Sequence, residues 1–173
     1  HAITEGLTRN TAGDIKPGIA ESWDESEDGL TYTFHLRKDA KWSDGEPITA
    51  ADFEYSWKRL VNPETASPYA FIGDCLKNGQ AFEQGKMDVE ELGVKAVDDT
   101  TLEVTLEHPT SYFLSLIGSS GQFAPLRQDI VEKYGTDFAA TSEKNVYSGP
   151  FVMTSSEDNV WTFAKNDNYW DKD

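Results

Sequence analysis

Residues 30–63 read LTYTFHLRKDAKWSDGEPITAADFEYSWKRLVNP, and three successive signals in this stretch decide the fold. Leu30, Tyr32, Phe34 and Leu36 alternate with Thr31, Thr33, His35 and Arg37, the period-two pattern of a strand with one buried and one solvated face. Trp42-Ser43-Asp44-Gly45-Glu46-Pro47 follows as a cluster of turn formers, in which Asp44 and Gly45 can take the positive φ of a tight reversal. A helix then starts, with Thr49 as N-cap and Asp52 three residues on, a carboxylate placed near the positive end of the helix dipole. Phe53, Trp57, Leu60 and Val61 make one apolar stripe, and the helix stops before Asn62-Pro63.

The same stretch carries a likeness. Phe34-His35-Leu36-Arg37, Ala40-Lys41-Trp42-Ser43-Asp44-Gly45, Ile48-Thr49-Ala50-Ala51-Asp52-Phe53 and Tyr55-Ser56-Trp57 together resemble the signature of the extracellular solute-binding proteins of peptide-type ABC importers (bacterial solute-binding protein family 5). The resemblance includes Glu5-Gly6-Leu7 and Pro17-Gly18-Ile19-Ala20-Glu21-Ser22-Trp23 on one side, and Thr65-Ala66-Ser67-Pro68-Tyr69-Ala70 on the other. It continues through Leu92 to Asp99, Gly149-Pro150-Phe151 and Asn168-Tyr169-Trp170. It implies a mixed α+β lobe of the α/β class, part of a type II periplasmic-binding-protein-like fold. Residues 1–126 would form the small lobe and residues 127–173 a strip of the large ligand-binding lobe, so the chain is expected to be a fragment of a longer protein.

Composition sets wider bounds. At 173 residues the chain suffices for one domain or two small ones with a real core. Its 5 Trp, 7 Tyr and 9 Phe argue against disorder, despite a formal charge of −16. That charge repels nucleic-acid backbones and anionic membrane surfaces. The single cysteine, Cys75, excludes an internal disulfide and a thiolate metal cluster. No apolar run approaches the roughly 20 residues of a bilayer-spanning helix, and no signal peptide or lipoprotein-type cysteine stands near the start.

Along the chain, residues 2–9 read as a short helix or strand and Ile15–Trp23 as an extended or single-turn segment, with Trp23 a core aromatic. Asp24, Ser26, Asp28 and Gly29 imitate the first half of a calcium loop, but the twelfth position is His35 rather than Glu, so an acidic turn is expected. Leu76–Gly85 is expected to be a short helix, and Met87–Leu92 a polar helical turn. A hairpin is expected with arms Val94–Val97 and Leu102–Leu106. Tyr112, Phe113, Leu116 and Ile117 form a buried helical stripe that Gly118 should end. Gln122–Leu126 reads as a crossing strand, Arg127–Tyr134 as a helix, and Phe151–Met153 with Trp161–Phe163 as a second hairpin around a polar turn at 155–159.

Catalytic machinery is not legible. His1, His35 and His108 have no His or Cys partner at metal-ligand spacing, and there is no nucleophile elbow, phosphate loop or dinucleotide fingerprint. Gly118-Ser119-Ser120-Gly121 is not followed by Lys and a helix. Paired carboxylates stay open on spacing alone, because with 31 acidic residues close pairs arise by chance. The expected role is non-catalytic binding without a cofactor.

Tyr69, after Pro68 in a polar loop, reads by itself as a loop aromatic packing on its own domain; its amphipathic ring also suits a ligand backbone. The resemblance assigns it to the wall of a peptide cleft. It further implies an oligopeptide ligand captured by closure of two lobes, ABC permease subunits as partners, a monomer, and an extracytoplasmic location in the periplasm or, in a Gram-positive cell, as a lipid-anchored surface protein. Dipeptides, nickel complexes, haem and oligosaccharides are alternative solutes within the family, and a sensory or protein-interaction module is the reading from another class.

Overall fold

The computed structural model describes residues 2–157 and 160–172, so His1 and residues 158–159 of the expected polar turn lie outside the described residues. The elements in order are β1 (Thr8–Thr11), β2 (Asp14–Pro17), β3 (Ala20–Glu25), β4 (Thr31–Leu36), α1 (Ala50–Val61), α2 (Gly79–Glu83), β5 (Val94–Asp98), β6 (Thr101–Thr105), α3 (Phe113–Ser119), α4 (Gln128–Tyr134), β7 (Phe151–Glu157) and β8 (Val160–Lys165). Strands β3, β4, β6 and β5 form a four-stranded sheet in that spatial order. Every pairing in it is antiparallel. Two separate hairpins, β1–β2 and β7–β8, flank it.

The alternation of residues 30–37 sets which way the central strand faces. Tyr32, Phe34 and Leu36 of β4 are buried, and the register brings Phe34 opposite both Trp23 and Leu102, so apolar side chains of three strands share one face. On the solvated face His35 pairs with Asp24 at 2.8 Å. α1 covers the buried face with Phe53, Trp57, Leu60 and Val61. Its first turn is closed as the sequence predicts: Asp52 completes a capping box with Thr49, accepting the Thr49 N–H at 2.9 Å and the Trp42 indole N–H at 3.2 Å.

α3 adds the last aromatic. Phe113 sits 5.0 Å from Tyr32 and 6.5 Å from both Phe34 and Trp57, measured between ring centroids, within the range of favourable aromatic pairs. The acidic turn before β4 forms as expected: Asp28 accepts from Ser26 Oγ at 2.5 Å and from the Leu30 N–H at 3.1 Å.

Four local expectations are corrected. Gln122–Leu126 is no strand; Gly121–Phe123 is a 3-10 turn capped by Ser120. The carbonyls of this segment are taken by α1 side chains, Trp57 Nε1 donating to Phe123 O at 2.9 Å and Ser56 Oγ to Ala124 O at 2.6 Å, so no neighbouring strand is needed. Tyr112 precedes α3 and is exposed rather than part of the buried stripe.

Gly118 does not end α3 but lies within it, where a Cβ would come 2.9 Å from Thr8 Oγ1; the glycine allows α3 to approach β1. The helix expected from Leu76 begins only at Gly79, because Leu76 bridges to Leu106 and the Lys77 N–H donates to Thr105 O at 2.9 Å.

The segments around 147–151 and 166–171 are stitched to the beginning of the chain. Gly149 N–H donates to Ile3 O at 3.1 Å, Phe151 N–H to Ala2 O at 3.0 Å, and Glu5 N–H to Ser148 Oγ at 3.0 Å. A Cβ on Gly149 would stand 2.6 Å from the Ile3 carbonyl carbon, so only glycine permits this approach. Arg37 lies over the Trp170 ring with its guanidinium carbon 3.5 Å from the centroid. Arg9 joins Glu5, Tyr169 and Asp171 in one polar cluster.

Phe113 is fully buried amid three aromatic neighbours. Phe113→Ala is therefore expected to lower unfolding free energy by about 3–5 kcal/mol in urea denaturation. A loss of less than roughly 1 kcal/mol, the size of an ordinary surface change, would show that the aromatic cluster is not the core's keystone.

Candidate functional site

Tyr69 lies in a segment whose geometry is set residue by residue. Asn62 ends α1, and its side chain accepts the Glu64 N–H at 2.9 Å, capping a short 3-10 turn over Pro63–Thr65. Ala66 takes a left-handed conformation with φ 49°, turning the chain toward Ser67, whose hydroxyl accepts the Tyr69 N–H at 3.2 Å. A 3-10 helix over Ala70–Cys75 follows, with Tyr69 as its N-cap residue.

That helix is pinned through its second half. Gly73 faces Val61 so closely that a Cβ would fall 2.2 Å from Val61 Cγ1. The Glu107 N–H donates to Cys75 O at 2.9 Å. Tyr69 is 50% exposed, so half of it is covered by its own surroundings and half is open to a partner.

A second exposed aromatic surface stands nearby. Phe71 is 61% exposed and Tyr112 65%, and the two line one cleft of about 540 Å³ together with Ile72, Cys75, Pro109 and Leu116. This volume lies in the range of roughly 300–1,000 Å³ typical of small-ligand sites. The Ile72 N–H donates to Tyr69 O at 3.1 Å, and residues one 3-10 turn apart eclipse. Tyr69 thus heads the same 3-10 segment that carries Phe71 and Ile72, but it is not itself among the residues that line the cleft.

The opposite wall is the loop from His108 to Tyr112, where Thr110 Oγ1 donates to His108 O at 2.9 Å and the Phe113 N–H closes onto Thr110 O at 3.0 Å. The Asp74 and Glu107 carboxylates complete the lining.

Sequence reasoning named Tyr69 and missed its neighbours. Phe71 carries no periodic signal inside a single 3-10 turn, and Tyr112 was absorbed into a helical stripe that begins one residue later. The pairing of residues 71–75 with 107–112 depends on the Leu76–Leu106 bridge, which spacing alone does not reveal.

Among the described residues no group of three or more His, Cys, Asp or Glu is arranged to hold a metal ion, and no helix is long and apolar enough to cross a membrane. Burial pushes the Cys75 thiol up to about 11, and its Sγ–H donates to Ile72 O at 3.3 Å. Against an ordinary value of 9.0, the thiolate fraction at pH 8 is about a hundredfold lower. Alkylation by iodoacetamide at pH 8 should accordingly be slower in the native protein than in urea by that order, and equal rates would place the thiol in an open, unperturbed position.

A family model described as "Bacterial extracellular solute-binding proteins, family 5 Middle" matches residues 14–173. Among curated proteins, the dipeptide-binding protein DppE of Bacillus subtilis (strain 168) is 43% identical over 173 residues, which are 99% of this chain and 32% of that protein. Among solved structures, the substrate-binding domain of an oligopeptide ABC transporter from Bacillus anthracis superposes with TM-score 0.93 at 47% identity, over 99% of this chain and 33% of that one. OppA of Listeria monocytogenes bound to peptide gives TM-score 0.93 at 43% identity, over 98% and 34%. The chain thus spans about a third of the length of these relatives.

Proposed function

Because this chain belongs to the bacterial extracellular solute-binding proteins of family 5, we propose that it is part of the substrate-binding component of an ABC importer that captures oligopeptides. The observation that carries this reading is an exposed aromatic surface, with Tyr69 and Phe71 on one 3-10 segment and Tyr112 across the cleft from Phe71. A flat amphipathic ring packs against peptide main chain irrespective of sequence and costs little side-chain entropy when ordered. The role is binding without catalysis.

Residues 1–126 act as the small lobe and residues 127–173 as a strip of the large one. Support comes from the way the four-stranded sheet and its aromatic core lie within the first span. Support comes also from β8, whose residues are exposed throughout, with Val160, Trp161 and Phe163 unburied. Such a hairpin is half of a packed layer and suits burial by further sheet or helix.

Peptide bound between the lobes stabilises the closed form that the permease subunits recognise. The protein acts as a monomer outside the cytoplasmic membrane, held there by a lipid if the cell has no periplasm.

In the full-length protein, Tyr69→Ala is expected to weaken peptide binding by about 1–3 kcal/mol, roughly 5- to 150-fold, in isothermal titration. Unchanged affinity for every peptide tested would remove Tyr69 from the site.

A further inference from the structure

We infer that the cleft lined by Phe71 and Tyr112 is a subsite for a cationic residue of the bound peptide, its stem between those two rings and its charge toward Asp74 and Glu107. This rests on the peptide-binding reading and adds a preference to it. Aromatic faces attract a lysine ammonium or arginine guanidinium through the ring quadrupole, and the apolar stems of both residues pack on hydrophobic walls such as Ile72, Pro109 and Leu116.

The polar lining points to the same class of ligand. Asp74 and Glu107, with His108, also line an adjoining hollow of about 380 Å³ with Asn78 and Gln80, so the carboxylates stand where two spaces meet. The Glu83 acid is pushed up by burial and by the Asp74 carboxylate, to which it hydrogen-bonds.

One oxygen of Glu107 accepts the Asn78 N–H at 2.8 Å. Among the described residues, no lysine or arginine forms an ion pair with Asp74, Glu83 or Glu107. An apolar ligand residue would desolvate these carboxylates without compensation, and an acidic one would add repulsion. A cation supplies the missing opposite charge.

The test uses the full-length protein, freed of co-purified ligand, and tripeptides of alanine carrying Lys, Leu or Glu at each position in turn. Titration calorimetry should give, at one position, Lys tighter than Leu by tenfold or more, with Glu weakest, and the Lys advantage should shrink on raising salt to 0.5 M. Asp74→Asn, nearly isosteric, should bring the Lys-to-Leu ratio below threefold. Phe71→Ala, at an exposed ring that the fold does not need, should narrow it as well.

A ratio untouched by both variants, or no preference for Lys at any position, overturns the subsite while leaving peptide binding in place. Failure of the wild-type protein to bind any of the peptides overturns both.

Discussion

One buried sheet face can be covered by one helix layer, and how α1 takes that place fixes nearly everything else. Trp57 faces the sheet core with its ring against Phe113 and Phe123, while its indole N–H holds the Phe123 carbonyl at 2.9 Å. A tryptophan buried in this way must find an acceptor, and by finding it in residues 121–126 it fixes the path of the chain between α3 and α4. Asp52 does the same at the helix start, tying Trp42 and Thr49 to the first turn while its backbone carbonyl accepts the Leu126 N–H at 3.2 Å.

From the far end of α1 the site follows. Val61 leaves room for nothing larger than glycine at position 73, which draws the 3-10 helix of residues 70–75 against the helix and turns Tyr69 and Phe71 outward. The β6 strand runs on into residues 106–108, and the bridge from Leu106 to Leu76 brings the His108–Tyr112 loop alongside. Two exposed aromatics therefore come from segments more than thirty positions apart, each rigidly supported from below. This is an arrangement suited to the proposed binding surface: exposed side chains on short loops, and the loops on a packed scaffold.

The sequence revealed what is local and concealed what is not. The alternation of Tyr32, Phe34 and Leu36, the Thr49–Asp52 cap, the stripe of Phe53, Trp57 and Leu60 and the hairpin around Asp98-Asp99-Thr100 were all legible, because periodicity and turn chemistry act within a few residues. The strand expected at 122–126 was an error of the opposite kind. Its apolar run looked like sheet, but donors for its carbonyls were supplied by Ser56 and Trp57, 68 and 66 positions earlier. Gly118 read as a stop and turned out to be an approach point between α3 and β1. Tyr69 was identified from resemblance, whereas Phe71, Tyr112, Asp74 and Glu107 depend on a tertiary pairing that no short window contains.

The central claim is that this fold presents a surface for peptides, and the most direct measurement is native mass spectrometry of the full-length protein purified without denaturation. The account predicts a spread of adduct masses that fragment as short peptides and exchange with added peptide. Protein that emerges empty and ignores added peptides would contradict it.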